Sequence, residues 1–145
     1  MSVTSHRITV EDGDHLREEV LEGLRVFNEA AAGNYDLRYV RLAMRADDGS
    51  LIAGLVGLCY WNMLYIDLLW VAPTHRRSGC GAALLQRAEE IALERNCELA
   101  YLATYSFQAP AFYRKRGYEA IGVLENAPRG HSTTWFSKRL TQGTS

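Results

Sequence analysis

The sequence has little of what several classes of protein require. Its three cysteines (Cys59, Cys80 and Cys97) are odd in number and lack C-x-x-C spacing, which argues against a disulfide framework or a metal site. An excess of charge of one sign is also missing, since 16 Lys and Arg residues balance 17 Asp and Glu residues. The chain therefore has no overall field that attracts nucleic acid or an anionic membrane surface. Any site for an anion must be built locally.

Long hydrophobic runs are absent as well. No segment reaches the roughly 18 apolar residues of a membrane-spanning helix, and residues 1–14 lack the apolar centre of a signal peptide. With 48% hydrophobic and 23% charged residues, residues 1–145 are expected to form a single domain. We expect a cytoplasmic protein whose partner is a small molecule or a peptide, with a homodimer as one possible assembly.

Hydrophobic patterns predict the elements of the first half of the chain. Residues 7–10 are a short β-like run, and residues 15–32 carry apolar side chains at helical spacing, so the chain is predicted to open with a strand and a helix. Residues 39–45 and 51–60 flank the turn signal Asp47-Asp48-Gly49-Ser50. These two runs therefore predict a β-hairpin.

The second half alternates predicted strands with predicted helices. Residues 63–71 (MLYIDLLWV) lack strict polar alternation, which favours a central strand covered on both faces. Residues 79–95 carry an apolar stripe at helical spacing and form the clearest helix. The remaining predicted elements are strands at 99–104, 118–123 and 133–140 and a short helix at 110–116. The order predicts an α/β fold with a mixed sheet.

The segment that carries most information is LWVAPTHRRSGCGAALL, residues 69–85. The first backbone N–H groups of a helix have no intrahelical partners, and Gly79 and Gly81 let a ligand approach them closely. Arg76 and Arg77 add full charges to the partial positive charge of the helix end. This pattern favours a phosphate or diphosphate ligand. A glycine-containing turn with solvated arginines is the alternative on spacing alone.

Two motifs in this half resemble those of one family. The sequence has no G-x-x-x-x-G-K-[ST], and its glycine pair lacks the third glycine of G-x-G-x-x-G, which weighs against nucleotide hydrolysis and dinucleotide binding. Residues 76–81 (RRSGCG) instead resemble the [QR]-x-x-G-x-[GA] loop of the GNAT superfamily of N-acetyltransferases. Residues 109–118 (APAFYRKRGY) are similar to the A-x-x-[LF]-Y-x-x-x-G-[FY] segment of the same family.

The resemblance implies a fold, an activity and a set of site residues. The fold would be a GNAT-type mixed, mostly antiparallel central sheet of about six to seven strands with about four flanking helices and a splay between two central strands. The activity would be transfer of an acetyl group from acetyl-CoA to a primary amine by direct nucleophilic attack. The implied cofactor-binding residues are Leu69, Val71, Arg76, Arg77, Ser78, Gly79, Cys80, Gly81, Ala82, Ser106, Ala109 and Tyr113. Ser106 stands where many relatives carry an asparagine that contacts the pantetheine arm.

Acetyl transfer also needs groups that move protons. The resemblance implies that Tyr113 donates to the departing sulfur; packing against Phe112 or Tyr118 is the alternative interpretation. Asp67 is the candidate base, because a carboxylate inside an apolar strand is costly to bury unless it is paired or used. Bonding to the backbone or to an arginine is its structural alternative. A water molecule or His131 is a further candidate for the proton transfer.

The acceptor side is less specified by the sequence. Aromatic and acidic residues suit a cationic amine, and the candidates are Tyr35, Asp36, Tyr39, Tyr60, Trp61, Tyr65 and Trp135. Each of them also fits an ordinary core or surface position. Two rival hypotheses remain at this point: a CoA-binding sensor or structural module without turnover, and a nucleotide-binding protein that uses the same turn.

Overall fold

The computed structural model describes residues 5–141 of the chain. The chain divides into two compact units, residues 1–35 and residues 36–145. Within the described residues, no helix is long and apolar enough to cross a bilayer.

The first unit contains one helix. Helix α1 spans His15–Ala32, as predicted, and none of its side chains is buried. The predicted strand at residues 7–10 is wrong, because these residues form no strand and Ile8 and Val10 are almost fully exposed. A strand needs a neighbouring strand to pair its backbone, and the six-stranded sheet of the described chain takes no member from this run.

The second unit is built on that sheet. Its strands are β1 (Arg38–Arg45), β2 (Leu51–Tyr60), β3 (Met63–Val71), β4 (Leu99–Tyr105), β5 (Glu119–Glu125) and β6 (Ser132–Arg139), and its helices are α2 (Cys80–Glu94) and α3 (Pro110–Lys115). The strand order is β1-β2-β3-β4-β6-β5, and only the β3–β4 pair is parallel. The predicted mixed, mostly antiparallel sheet is confirmed. The described residues contain three α-helices rather than about four.

The core lies between one face of the sheet and α2. The predicted apolar stripe of α2 is confirmed, since its buried residues are Leu84, Leu85, Ala88 and Ala92. The largest fully buried side chains of the unit are Phe136, Leu55, Leu64, Leu85, Leu102 and Val40. Burial of each such side chain stabilises the fold by about 1.5–3 kcal/mol. This packing fixes the axis of α2, and with it the position of the helix start.

The predicted splay between two central strands is also confirmed. Strand β3 pairs with β4 only where residues 63–65 face residues 99–101. Beyond that point β3 continues against β2 as far as Val71, and β4 continues against β6 as far as Tyr105. The facing edges of β3 and β4 are therefore unpaired over most of their length, which opens a gap inside the sheet.

A β-bulge interrupts β3 at the gap. Val56 of β2 faces Leu68, whereas the next residue, Gly57, faces Ile66, so Asp67 is the extra residue of β3. A bulge of this kind bends the strand and redirects a side chain. Asp67 is therefore placed by the irregularity of the strand rather than by its regular alternation.

Gly57 makes the bulge possible. A Cβ atom at this position would lie 2.7 Å from the carbonyl oxygen of Tyr65, a distance that real Cβ contacts do not reach. Because the obstructing atom belongs to the backbone, it cannot move aside as a flexible side chain would. The close approach of β2 and β3 beside Asp67 thus requires glycine at residue 57.

The composition of β3 predicted a strand covered on both faces. This prediction is wrong for the second half of the strand, and the bulge explains why. Leu64 and Ile66 are buried, but after the bulge the residues that pack against the core are Leu69 and Val71. The apolar residues that alternate with these positions are open, with Leu68 62% and Trp70 46% exposed. The second half of the strand is apolar because it forms the wall of a cleft.

Candidate functional site

A cleft of about 950 Å³ opens where β3 and β4 diverge. Its walls come from the second half of β3, the loop and first turn of α2, the end of β4 and helix α3. This volume lies near the upper end of the range of about 300–1,000 Å³ that is usual for small-molecule and cofactor sites. The cleft thus joins the two motifs that the sequence singled out.

Most of the predicted site residues meet in this cleft. Those that line it are Asp67, Leu69, Val71, Arg76, Arg77, Gly79, Cys80, Gly81, Ala82, Ala109 and Tyr113. Ser78 and Ser106 do not line it. The Ser78 hydroxyl donates to the carbonyl of His75, and the Ser106 hydroxyl accepts the N–H of Ser132 at 3.1 Å. Both hydroxyls are used in local structure.

The start of α2 presents free backbone donors to the cleft. Gly79 precedes the helix with φ 89°, in the left-handed region that favours glycine. The first helical bond runs from the N–H of Ala83 to the carbonyl of Gly79 at 3.0 Å, so the amides of residues 80–82 have no intrahelical acceptor. At Gly81, a Cβ atom would lie 3.4 Å from the ring of Phe112. Glycine therefore keeps the space between α2 and α3 open.

Three arginines surround this helix start. Arg76 donates through Nε to the carbonyl of Val71 at 3.1 Å, which ties the loop to the end of β3. Arg77 has a left-handed backbone with φ 63°. Arg116, which the sequence analysis missed, lines the cleft with its guanidinium 4.1 Å from the ring centre of Phe112. Guanidinium groups beside free helix N–H groups form a site suited to a diphosphate.

Tyr113 is both packed and open to the cleft. Its ring centre lies 5.1 Å from that of Phe112, 5.8 Å from that of Tyr118 and 6.2 Å from that of Phe136. Only 8% of the residue is exposed, and this burial raises the pKa of Tyr113 to about 12. The phenol therefore keeps its proton across the neutral and mildly alkaline range and is able to donate it.

Asp67 lines the cleft, but the reason given for it from the sequence is wrong. The residue is exposed rather than buried, because the bulge turns it out of the regular strand. The pKa of Tyr65 is raised, first by the burial of Tyr65 itself and second by the negative charge of Asp67. Asp67 follows Tyr65 by two residues on β3, just past the point where β3 and β4 separate.

Gln108 is a second cleft residue that the sequence analysis missed. Its Oε1 accepts the Thr104 hydroxyl at 2.9 Å and the Tyr105 backbone N–H at 3.1 Å. Because a backbone N–H only donates, the bond to Tyr105 establishes which end of the carboxamide is the oxygen. The Nε2 hydrogens remain for another acceptor. The only sequence signal was a polar residue two positions after Ser106.

The comparisons with known proteins agree with this geometry. The sequence profile of the acetyltransferase (GNAT) family matches residues 9–118. This chain belongs to the GNAT family. It is 37% identical over 121 residues to acetyltransferase Atu2258 of Agrobacterium fabrum, covering 83% of this chain and 88% of that protein. It is also 39% identical over 93 residues to blasticidin-S acetyltransferase of Streptomyces morookaense, covering 63% and 68%.

A solved structure shows the same similarity over nearly the whole chain. A crystal structure of an acetyltransferase from Bacillus cereus has a TM-score of 0.81 and 36% identity, covering 92% of this chain and 98% of that chain. This GNAT chain is an acetyl-CoA-dependent N-acetyltransferase. The cleft fits this cosubstrate, since it combines free helix amides and arginines with an apolar strand wall.

The predicted acceptor residues of this GNAT enzyme are only partly brought together. Tyr60, Trp61 and Tyr65 cluster with Tyr101, which was not predicted. The rings of Tyr65 and Tyr101 lie 4.9 Å apart, and those of Tyr60 and Trp61 lie 6.1 Å apart. The hydroxyls of Tyr60 and Tyr101 are in contact. Since β3–β4 pairing stops at residues 65 and 101, the cluster lies at the closed end of the gap.

Other predicted acceptor residues have separate local contacts. Asp36 forms an ion pair with Arg38 at 3.0 Å. The guanidinium of Arg41 lies 4.2 Å from the ring centre of Tyr39. Tyr35 belongs to the first compact unit.

His131 meets the cleft only through Phe107. The two rings are edge-on at 4.8 Å, and Phe107 lines the cleft while stacking on Tyr105 at 5.4 Å. Trp135 lies on β6 opposite Ala103. Neither His131 nor Trp135 lines the cleft itself.

Proposed function

We propose that this enzyme acetylates a primary amine of a small cationic molecule, which attacks the thioester of acetyl-CoA directly. The observation that carries the proposal is the single cleft that runs from the start of α2 to Asp67 through the β3–β4 gap. It offers an anion site at one end and a carboxylate beside tyrosines at the other. The relative that acts on blasticidin-S supports a small-molecule acceptor rather than a peptide.

The chain binds the cosubstrate with backbone groups and arginines. The amides of residues 80–82 hold the diphosphate, and Arg76 and Arg77 neutralise it. The unpaired edge of β3, with Leu69 and Val71, holds the pantetheine arm in the place of a missing strand. When bound, acetyl-CoA supplies the activated acetyl group.

Gln108 lines the cleft, and in the proposed complex its Nε2 donates to the pantetheine arm, so we expect Gln108→Leu to weaken acetyl-CoA binding about tenfold. The matched control is Ser106→Ala, whose hydroxyl bonds Ser132 instead, and it should leave the dissociation constant unchanged. Isothermal titration calorimetry measures both. A larger loss of affinity for acetyl-CoA in Ser106→Ala than in Gln108→Leu would show instead that Ser106 contacts the pantetheine arm.

The reaction needs one proton donor and one proton acceptor from the chain. The amine nitrogen forms a bond to the carbonyl carbon, and the carbon–sulfur bond breaks. Tyr113 donates its phenolic proton to the departing sulfur. Asp67 attracts the cationic acceptor into the gap. The attacking amine is in its neutral form, its ammonium proton having passed to water, and Asp67 accepts the second proton, which the nitrogen releases as the amide forms. Water then restores both groups to their resting protonation states.

Replacing Asp67 with asparagine should lower kcat/KM for the amine about 10- to 100-fold, since the charge that attracts the amine and accepts its proton is lost. The KM for acetyl-CoA should change little. Asp47→Asn, in the exposed turn between β1 and β2, removes the same charge away from the cleft and serves as the control. Unchanged kinetics in Asp67→Asn would refute the role of Asp67 as proton acceptor and would favour water in that role.

A panel of amines tests the proposed function as a whole. The enzyme is incubated with acetyl-CoA and blasticidin S, polyamines, amino acids or lysine peptides, and free CoA and product mass are measured. We expect acetylated product from small cationic amines. Acetylation of peptides alone would refute the small-molecule acceptor. CoA release no faster than background hydrolysis with every amine would favour a sensor.

A further inference from the structure

A second cavity, of about 350 Å³, lies along α2 beside the cleft. It is lined by Ala82, Leu85, Gln86, Glu89, Lys115, Arg116 and Lys138. Ala82 and Arg116 also line the cleft, so the two spaces adjoin. Gln86 lies one helical turn, about 6 Å, beyond Ala82 and away from the helix start. The second cavity therefore continues the cleft past its anion site.

The one carboxylate in this cavity is already compensated. Glu89 accepts Lys138 Nζ on Oε1 and the Tyr118 hydroxyl on Oε2, both at 2.8 Å. Its side chain is only 14% exposed. The carboxylate, held by an ammonium and a phenol, does not cancel the remaining positive charges of the cavity.

Those remaining charges belong to Lys115 and Arg116. Among the ion pairs of residues 5–141, none involves Lys115, and its side chain is exposed at the cavity. Arg116 gives one N–H to the carbonyl of Phe112 at 3.3 Å and lies over that residue's ring. Its other N–H groups are left for a ligand. The cavity thus has two cations and a neutral carboxamide, that of Gln86, for an anion.

We propose that this cavity binds the 3′-phosphate on the adenosine ribose of CoA. The inference rests on the proposed place of the diphosphate at the start of α2. The ribose carries the diphosphate through its 5′ oxygen and a phosphomonoester on its 3′ oxygen, so the two anions are one sugar apart. A phosphomonoester carries about −1.5 to −2 charges at neutral pH, which matches two neighbouring cations. The enzyme thereby distinguishes CoA from its 3′-dephospho form.

Calorimetric titration of the whole protein with CoA and with 3′-dephospho-CoA tests this site. The wild type should bind CoA about tenfold more tightly than the dephospho form, as expected for charge-assisted bonds to a phosphate. In Lys115→Ala the ratio of the affinity for CoA to the affinity for 3′-dephospho-CoA should fall at least threefold, entirely through weaker binding of CoA. Lys115→Arg should restore it. Lys138 is not substituted, because its loss would leave the Glu89 carboxylate without a cation.

The charge control is Arg87→Ala on the exposed side of α2, where Arg87 pairs with Glu90 at 3.3 Å. It removes one cation outside both cavities and should leave the ratio unchanged. Equal affinity of the wild type for the two ligands would overturn the phosphate site and leave the diphosphate site intact. An equal loss of affinity for both ligands in Lys115→Ala would also overturn the phosphate site. Failure of both ligands to bind the wild type would refute the two sites together.

Discussion

The double variant Arg76→Glu with Gly79→Val should bind acetyl-CoA at least a hundredfold more weakly than the wild type. Valine at φ 89° is strained by roughly 1–3 kcal/mol, so the turn relaxes and the first amides of α2 move away from the proposed position of the diphosphate. Glutamate at residue 76 places a negative charge where the arginine was, and it also removes the bond to the Val71 carbonyl. Both changes act on the one place where the helix offers free donors.

Gly49→Val separates this effect from backbone strain in general. Gly49, in the turn between β1 and β2, also has φ 89°, and at either glycine a Cβ atom would meet nothing within 4 Å. The substitution should cost comparable stability in thermal unfolding while leaving calorimetric affinity for acetyl-CoA unchanged. A double variant that folds and binds like the wild type would show that the diphosphate lies elsewhere.

Tyr113→Phe should lower kcat by about two orders of magnitude, the lower range for loss of a general acid, with less than a threefold change in the dissociation constant for acetyl-CoA. In the proposed mechanism the phenol donates to sulfur only as the carbon–sulfur bond breaks, so its removal acts on the transition state rather than on binding. Burial places the pKa of Tyr113 at about 12, above its usual value. The wild type should therefore lose no activity from this group as the pH rises to 9.

Tyr118→Phe is the matched control for Tyr113→Phe. Its hydroxyl donates to Glu89 at 2.8 Å rather than to the cleft. The variant should lose about 1–3 kcal/mol of unfolding free energy, because a largely buried carboxylate loses a donor, yet keep its kcat. Stopped assays with a saturating amine, together with chemical denaturation, measure the two effects. If Tyr113→Phe turned over as fast as the wild type, Tyr113 would not be the acid that protonates the departing sulfur.

Local patterns predicted most of the sheet but not its irregularities. The β1–β2 hairpin, β3 and α2 follow from turn residues and hydrophobic spacing, and their bounds agree with the prediction to within about a residue. The run at residues 7–10 has the composition of a strand, yet strand formation depends on a partner that no local pattern reveals. The gap between β3 and β4 was expected from the family resemblance alone.

The site was predictable where a motif fixes the backbone, as at Gly79, and less so where tertiary contacts decide. Asp67 was chosen for a burial cost that the bulge abolishes, since alternation cannot show an inserted residue. Arg116 is one of three successive cations, and its position in the cleft beside Phe112 depends on tertiary packing that distinguishes it from its neighbours. Gln108 gains its orientation from bonds to residues on β4, which spacing does not encode.

The bulge beside Gly57 sets a limit on laboratory evolution of the enzyme. In the proposed acceptor site, libraries that vary Tyr65 or Tyr101 would reshape the closed end of the gap, where β3–β4 pairing stops. A single methyl group at residue 57 would instead clash with the Tyr65 carbonyl oxygen, so the bulge that places Asp67 at the gap would have to shift. Gly57, which has no side chain and does not line the cleft, therefore belongs among the positions that a screen for new amine specificity must hold constant.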